Sequence, residues 1–148
     1  MTDKFDGLYI IRSAVESDKN FVLQSFLLGI YYGDSWFSKI PKRVFMDNYK
    51  QVAEALFYRA YVKIACLPED PDTILGYAIM SRDETVLHFV YVKKSKGEAS
   101  WRNHGIATRL VSTWPSQVTH LTALGEELLK KYKDKPTPMF NPFNLGIP

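Results

Sequence analysis

The chain is 148 residues long, carries a formal net charge of +3, and is 46% apolar and 24% charged. That length supports one self-sufficient domain over residues 1–148, and so mild a charge does not by itself argue for nucleic acid. The single cysteine, Cys66, excludes an internal disulfide, and no apolar stretch reaches the roughly 18–20 residues of a membrane span.

Leu8 to Arg12 is a run of β-formers and reads as a first strand. Ser17 or Asp18 can cap the helix that follows, in which Phe21, Val22, Phe26, Leu27 and Ile30 keep helical spacing up to Gly33 and Asp34. Ser38 and Pro41 open a second helix, with the proline in its first turn. Three strands follow at residues 61–67, 73–81 and 85–92, joined by turns at 68–72 and 82–84. Cys66 lies inside the first of them as a small buried hydrophobe, which suits a reducing, cytoplasmic compartment. The opening MTDKFDG lacks the layout of a signal peptide. A polar loop over 93–100 leads to a short helix over 105–112, stopped by Trp114 and Pro115. Residues 117–122 read as a strand and 123–132 as an amphipathic helix. The Pro-, Phe- and Asn-rich tail reads as one or two edge strands, where proline is tolerated. The predicted order is β-α-α-β-β-β-α-β-α-β, an α+β domain with a mixed sheet flanked by helices.

The segment Trp101-Arg102-Asn103-His104-Gly105-Ile106-Ala107 follows an apolar strand and opens a helix. A helix start leaves N–H groups without partners and carries partial positive charge, and the two together attract phosphate. Gly105 lets the backbone approach a diphosphate, Ala107 keeps the next contact small, and Arg102 can add a charge-assisted hydrogen bond. The other reading is an ordinary loop-to-helix junction.

With these residues in view, the chain resembles the GCN5-related N-acetyltransferase (GNAT) family over roughly residues 7 to 132. Ile11-Arg12-Ser13-Ala14 with Asp18, then Ile74-Leu75-Gly76-Tyr77-Ala78-Ile79, then Leu87-His88-Phe89-Val90-Tyr91-Val92 are similar to its first, third and fourth strands. Arg102-Asn103-His104-Gly105-Ile106-Ala107 is similar to its (Gln/Arg)-x-x-Gly-x-(Gly/Ala) acyl-CoA motif. The resemblance implies a GNAT-like fold and acetyl-CoA as cosubstrate. It implies backbone groups at Val90, Tyr91 and Val92 holding the pantetheine arm. It implies Arg102, Asn103, His104, Gly105, Ile106, Ala107 and Thr108 binding the pyrophosphate. The compact second half also resembles GNAT-like proteins of tailed bacteriophages. Three features depart from the family. Val92 and Arg102 stand ten positions apart, longer than usual. The stretch from Gly105 to Val118 is short. Leu128 and Leu129 occupy the neighbourhood where a general-acid tyrosine is expected, and Tyr132 is the nearest candidate.

Acetyl transfer needs a neutral amine beside the thioester and a stabilised leaving thiolate; a positioned base adds about 10²- to 10⁴-fold. His88 has the period-2 parity of Val90 and Val92 and is a candidate base, or else a half-buried strand histidine. Glu84 could act through water or simply close a hairpin turn. His120 is a second candidate on the next strand, and Tyr132 a candidate acid. Tyr31, Tyr32, Trp36 and Phe37 between the first two helices form either an aromatic acceptor site or core. Two lysine runs, 93–96 and 130–135, read as solvated faces, the first also suiting the 3′-phosphate of CoA. Metal-ligand spacing is absent, so no metal is expected. The expected function is N-acetyl transfer from acetyl-CoA to a primary amine of a small molecule or protein. The alternative is a non-catalytic GNAT-like binding or assembly module. The expected partners are an amine acceptor and, through a strand of the tail, a second copy forming a homodimer, with no membrane; a third and weaker reading, a nucleic-acid-binding domain, would need the two lysine runs on one face.

Overall fold

The computed structural model describes residues 8–93, 105–122, 126, 130, 132 and 134–146. Strand β1 spans Ile10–Ser13, helix α1 Lys19–Gly33 and helix α2 Lys42–Arg59. Strands β2, β3 and β4 span Tyr61–Cys66, Ile74–Met80 and Val86–Val92. Helix α3 spans Ile106–Leu110, and strands β5 and β6 span Gln117–Val118 and Met139–Phe140. The six strands lie side by side in chain order. β1 to β4 are antiparallel, and the β4–β5 and β5–β6 pairs are parallel. The α+β class expected from the sequence is the one observed. Of the helix expected over 123–132, Glu126 and Lys130 are helical, and the Glu126 N–H donates to the Thr122 carbonyl at 2.9 Å. Most of that segment lies outside the described residues.

The central strands are nearly all apolar because both faces of the sheet are covered. Every residue of β3 is buried. On one face, Phe26 and Ile30 of α1 and Leu56 of α2 meet Ile64, Tyr77, Ile79 and Phe89. On the other, Ile106 and Leu110 of α3 meet Ala65, Leu75, Ala78, Val90 and Val92. Each fully buried Leu, Ile or Phe contributes about 1.5–3 kcal/mol relative to exposure. The aliphatic spacing in α1 and α2 thus converts directly into one helical layer.

Asp18 does not cap α1 with its side chain. Its carboxylate accepts from the Arg12 guanidinium at 2.7 and 2.9 Å and from the Val15 N–H at 2.8 Å. Arg12 also donates to the Pro71 carbonyl at 2.9 Å. Burial pushes the Asp18 carboxyl up, but Arg12 and the Val15 N–H outweigh it and hold it below its usual range. The pair therefore ties β1, the start of α1 and the β2–β3 turn together.

Gly76 sits where β3, β4 and α3 converge. It faces Val92 across the ladder, and an added Cβ would stand 2.5 Å from the Tyr91 carbonyl oxygen and 3.5 Å from Ile106 Cγ2. Gly76→Ala is expected to lower unfolding free energy by about 1–3 kcal/mol through overpacking. Urea denaturation with an unchanged m-value checks it.

Candidate functional site

The sheet parts company at β4. Its partner across β3 changes from Phe89–Ile79 to Leu87–Met80, so His88 is an extra residue in the ladder, a β-bulge. The bulge interrupts the period-2 alternation of β4: Leu87 shares the α3-side core with Val90 and Val92 at odd spacing, and the His88 ring meets Thr119 Oγ1. On its other edge β4 pairs with β5 only at Val86–Gln117 and Leu87–Val118. The Thr119 N–H donates to the Leu87 carbonyl at 3.1 Å, and beyond it the ladder stops. This is why the strand expected over 117–122 ends at Val118. The Lys93 N–H bonds Leu75 on the β3 side. By antiparallel alternation the main-chain groups of Val90 and Val92 then point away from β3, toward the side that β5 has left.

His120 fills the start of this wedge. Its Nδ1 lies 2.9 Å from the His88 carbonyl oxygen and 2.9 Å from Thr119 Oγ1, which in turn meets His88 Nδ1 at 3.0 Å. Its Nε2 lies 2.5 Å from the Tyr49 hydroxyl. A carbonyl only accepts, so His120 carries its proton on Nδ1, and Nε2 accepts from Tyr49. Burial pushes both histidines down to about 4, helped at His88 by the neighbouring His120 and opposed at His120 by its bond to the His88 carbonyl. Both are therefore neutral at pH 7. The gap left between the strands is about 10 Å³, on the order of one water.

α3 opens on Gly105, which has φ +78°, the left-handed region that favours glycine. Among the described residues, chain neighbours aside, no heavy atom lies within 4 Å of where a Cβ would stand. The Arg109 N–H, bonded to the Gly105 carbonyl at 3.0 Å, is the first with an intrahelical partner. The N–H groups of Ile106, Ala107 and Thr108 precede it and have none within the helix. Arg102, Asn103 and His104, and most of the long stretch between Val92 and Arg102, lie outside the described residues.

Among the expected site residues, the structure brings His88 and His120 together and places Tyr132 elsewhere. The Tyr132 hydroxyl meets Thr108 Oγ1 at 3.0 Å, and its ring makes an edge contact with Trp114, beside α3. Glu84 sits in the β3–β4 turn at φ +61° and forms an ion pair with Lys63, whose Nζ also donates to Ser112 Oγ at 3.0 Å. That pair occupies Glu84 away from the histidines. Tyr49 and Thr119 were not singled out by the sequence: Tyr49 has the spacing of a core position in α2, and only the bulge brings Thr119 against His88. Tyr31 is buried, Phe37 half-buried, and Tyr32 and Trp36 exposed, so the aromatic cluster divides between core and surface. No group of three or more potential metal ligands occurs among the described residues.

No family model and no curated protein matches the sequence. Solved structures do. A possible acetyltransferase from Clostridium difficile is similar over 90% of this chain and 96% of its own, at 13% identity and a TM-score of 0.53. A GCN5-related N-acetyltransferase from Rhodopseudomonas palustris is similar over 76% of this chain, at 14% identity and a TM-score of 0.48. This chain spans 64% of the length of that protein. The yncA protein of Salmonella typhimurium, solved with its cofactor acetyl-CoA, is similar over 70% of this chain and 59% of its own, at 16% identity and a TM-score of 0.42. The near full-length likeness to the first, with the six-stranded mixed sheet, shows that the chain has the fold of the GNAT acetyltransferases.

The buried histidines link the wedge to pH. Their folded values near 4 lie below the ordinary value of about 6.5, so the unfolded chain binds more protons between these limits. Their contribution is complete above about pH 6.5 and is lost as pH falls toward 4, at up to about 1.4 kcal/mol per pH unit for each. Chemical denaturation from pH 7 to 4 should show this decline, and His120→Asn should make it shallower.

Proposed function

We propose that the protein is an acetyl-CoA-dependent N-acetyltransferase that moves an acetyl group to a primary amine by direct attack on the thioester. The observation that carries this reading is the opening of α3. A left-handed Gly105, with no described residue beyond its chain neighbours crowding it, precedes three N–H groups that have no intrahelical partner. Ile106 and Leu110 root that helix in the same core as Val90 and Val92. In this reading the main chain from Gly105 to Thr108 holds the diphosphate, with Arg102, Asn103 and His104 adding to it. The pantetheine arm runs along Val90 and Val92, while Tyr91 between them keeps its main-chain groups in the β3–β4 ladder. Tyr132 belongs to the cofactor-binding end through Thr108. His120 accepts from the Tyr49 hydroxyl and fixes it toward the acceptor side, and His88 fixes His120 through Thr119. Glu84 is taken as structural.

A second reading, a CoA-binding or assembly module without catalysis, is favoured by one observation. The His120 ring leaves only about 10 Å³ between the parted strands, so an arm threading there must displace it.

Acetyl-CoA at a large excess over its Kd is expected to raise the melting temperature by several degrees, since a ligand of the folded state stabilises it. Gly105→Asp is expected to abolish that shift, by setting bulk and negative charge against the diphosphate. It should cost the free protein only about 1–2 kcal/mol for a left-handed non-glycine residue. An unchanged shift in this variant would refute the site. Thiol release with an amine panel separates the two readings: a shift without release is the signature of the binding module.

A further inference from the structure

A cavity of about 770 Å³ opens between the α1–α2 connection, the chain after β5 and the C-terminal tail. Its size is that of a small-molecule site. Trp36, Phe37, Tyr49, Phe140 and Phe143 line it with rings. Trp36 is 68% and Phe143 90% exposed, so these two rings stand at its rim rather than in the core. Its charged lining is of one sign. Asp34 and Glu126 contribute carboxylates, and no lysine, arginine or histidine is among its described lining residues.

Tyr49 joins this cavity to the wedge. Its hydroxyl proton is committed to His120 Nε2, so its oxygen is left as an acceptor. Burial, reinforced by the negative charge of Asp34, pushes the phenol up, which keeps that proton in place.

We propose that this cavity is the acceptor site for an amine carried on an aromatic or bulky aliphatic body, with Tyr49 as the positioning residue whose hydroxyl oxygen accepts a hydrogen bond from the amine. What becomes of the bound amine rests on the acetyltransferase reading above; its binding does not. The rings cover the apolar body and attract the cationic head. The carboxylates disfavour an anion, which would find two like charges and no counter-charge among the described lining residues. A polyamine without an apolar body would leave the rings wet.

Titration calorimetry on the intact chain at pH 7.5, without acetyl-CoA, tests this with phenethylamine, its neutral isostere 2-phenylethanol, and spermidine. Phenethylamine should bind at least about tenfold more tightly than either, and Tyr49→Phe should weaken it by about tenfold while leaving 2-phenylethanol unchanged, because a bond to a charged partner is lost. Trp36→Ala and Phe143→Ala should weaken both aromatic probes. Equal binding of spermidine overturns the substrate class, as does absence of phenethylamine binding. Equal loss of both aromatic probes in Tyr49→Phe overturns the positioning role. If Tyr49→Phe does not fold, Glu126→Gln, at an exposed position, should weaken phenethylamine but not the alcohol, and equal effects on both overturn the proposal. Loss of amine selectivity with the acetyl-CoA melting shift intact refutes the acceptor class alone. The converse refutes the acetyltransferase reading alone.

Discussion

The bulge at His88 is the constraint on which the rest of the site depends. One residue too many in β4 turns two successive carbonyls, those of Leu87 and His88, toward the same neighbour. The first is met by the backbone of Thr119 and the second by the ring of His120. A ladder bond has thus been exchanged for a side-chain bond, and from that point β5 cannot follow β4. The opening is a consequence of hydrogen-bond bookkeeping within the sheet, and the histidine that closes the account also reaches Tyr49 on α2.

This exchange ties the sheet to the α1–α2 layer. That layer supplies Tyr49, the sheet supplies His88, and the chain after β5 supplies Thr119 and His120. Phe26 braces the imidazole with an edge contact at 5.5 Å between ring centroids. On the opposite face Gly76 lets Ile106 come close, which fixes where α3 starts relative to the end of β4. The opening of α3 and the histidine wedge are therefore held by separate cores with β4 between them.

Much of the fold was legible in the sequence because it rests on periodicity. The apolar spacing of α1 and α2 and the unbroken apolar runs of β2 to β4 are local patterns, and the elements fall within a few residues of where those patterns end. Gly105 was legible as well, since glycine before a helix has a distinct backbone meaning. The partners of Asp18, the Lys63–Glu84 pair and the Tyr49–His120 bond were not. Each joins residues distant in the chain, and none leaves a periodic trace. The bulge was not legible either: alternation holds only while the ladder is regular, and nothing in Leu87-His88-Phe89 marks the extra residue.

The order of strands in the sheet repeats their order in the chain. As the polypeptide leaves the ribosome, each antiparallel strand from β2 to β4 can dock on the one made just before it, β2 across the two helices and β3 and β4 across short turns. The parallel half must wait for its crossovers. The wedge and the aromatic cavity are consequently assembled by the last-made third of the chain, onto a platform already in place. Changes in that late segment can reshape what the protein accepts while leaving the platform to fold as before.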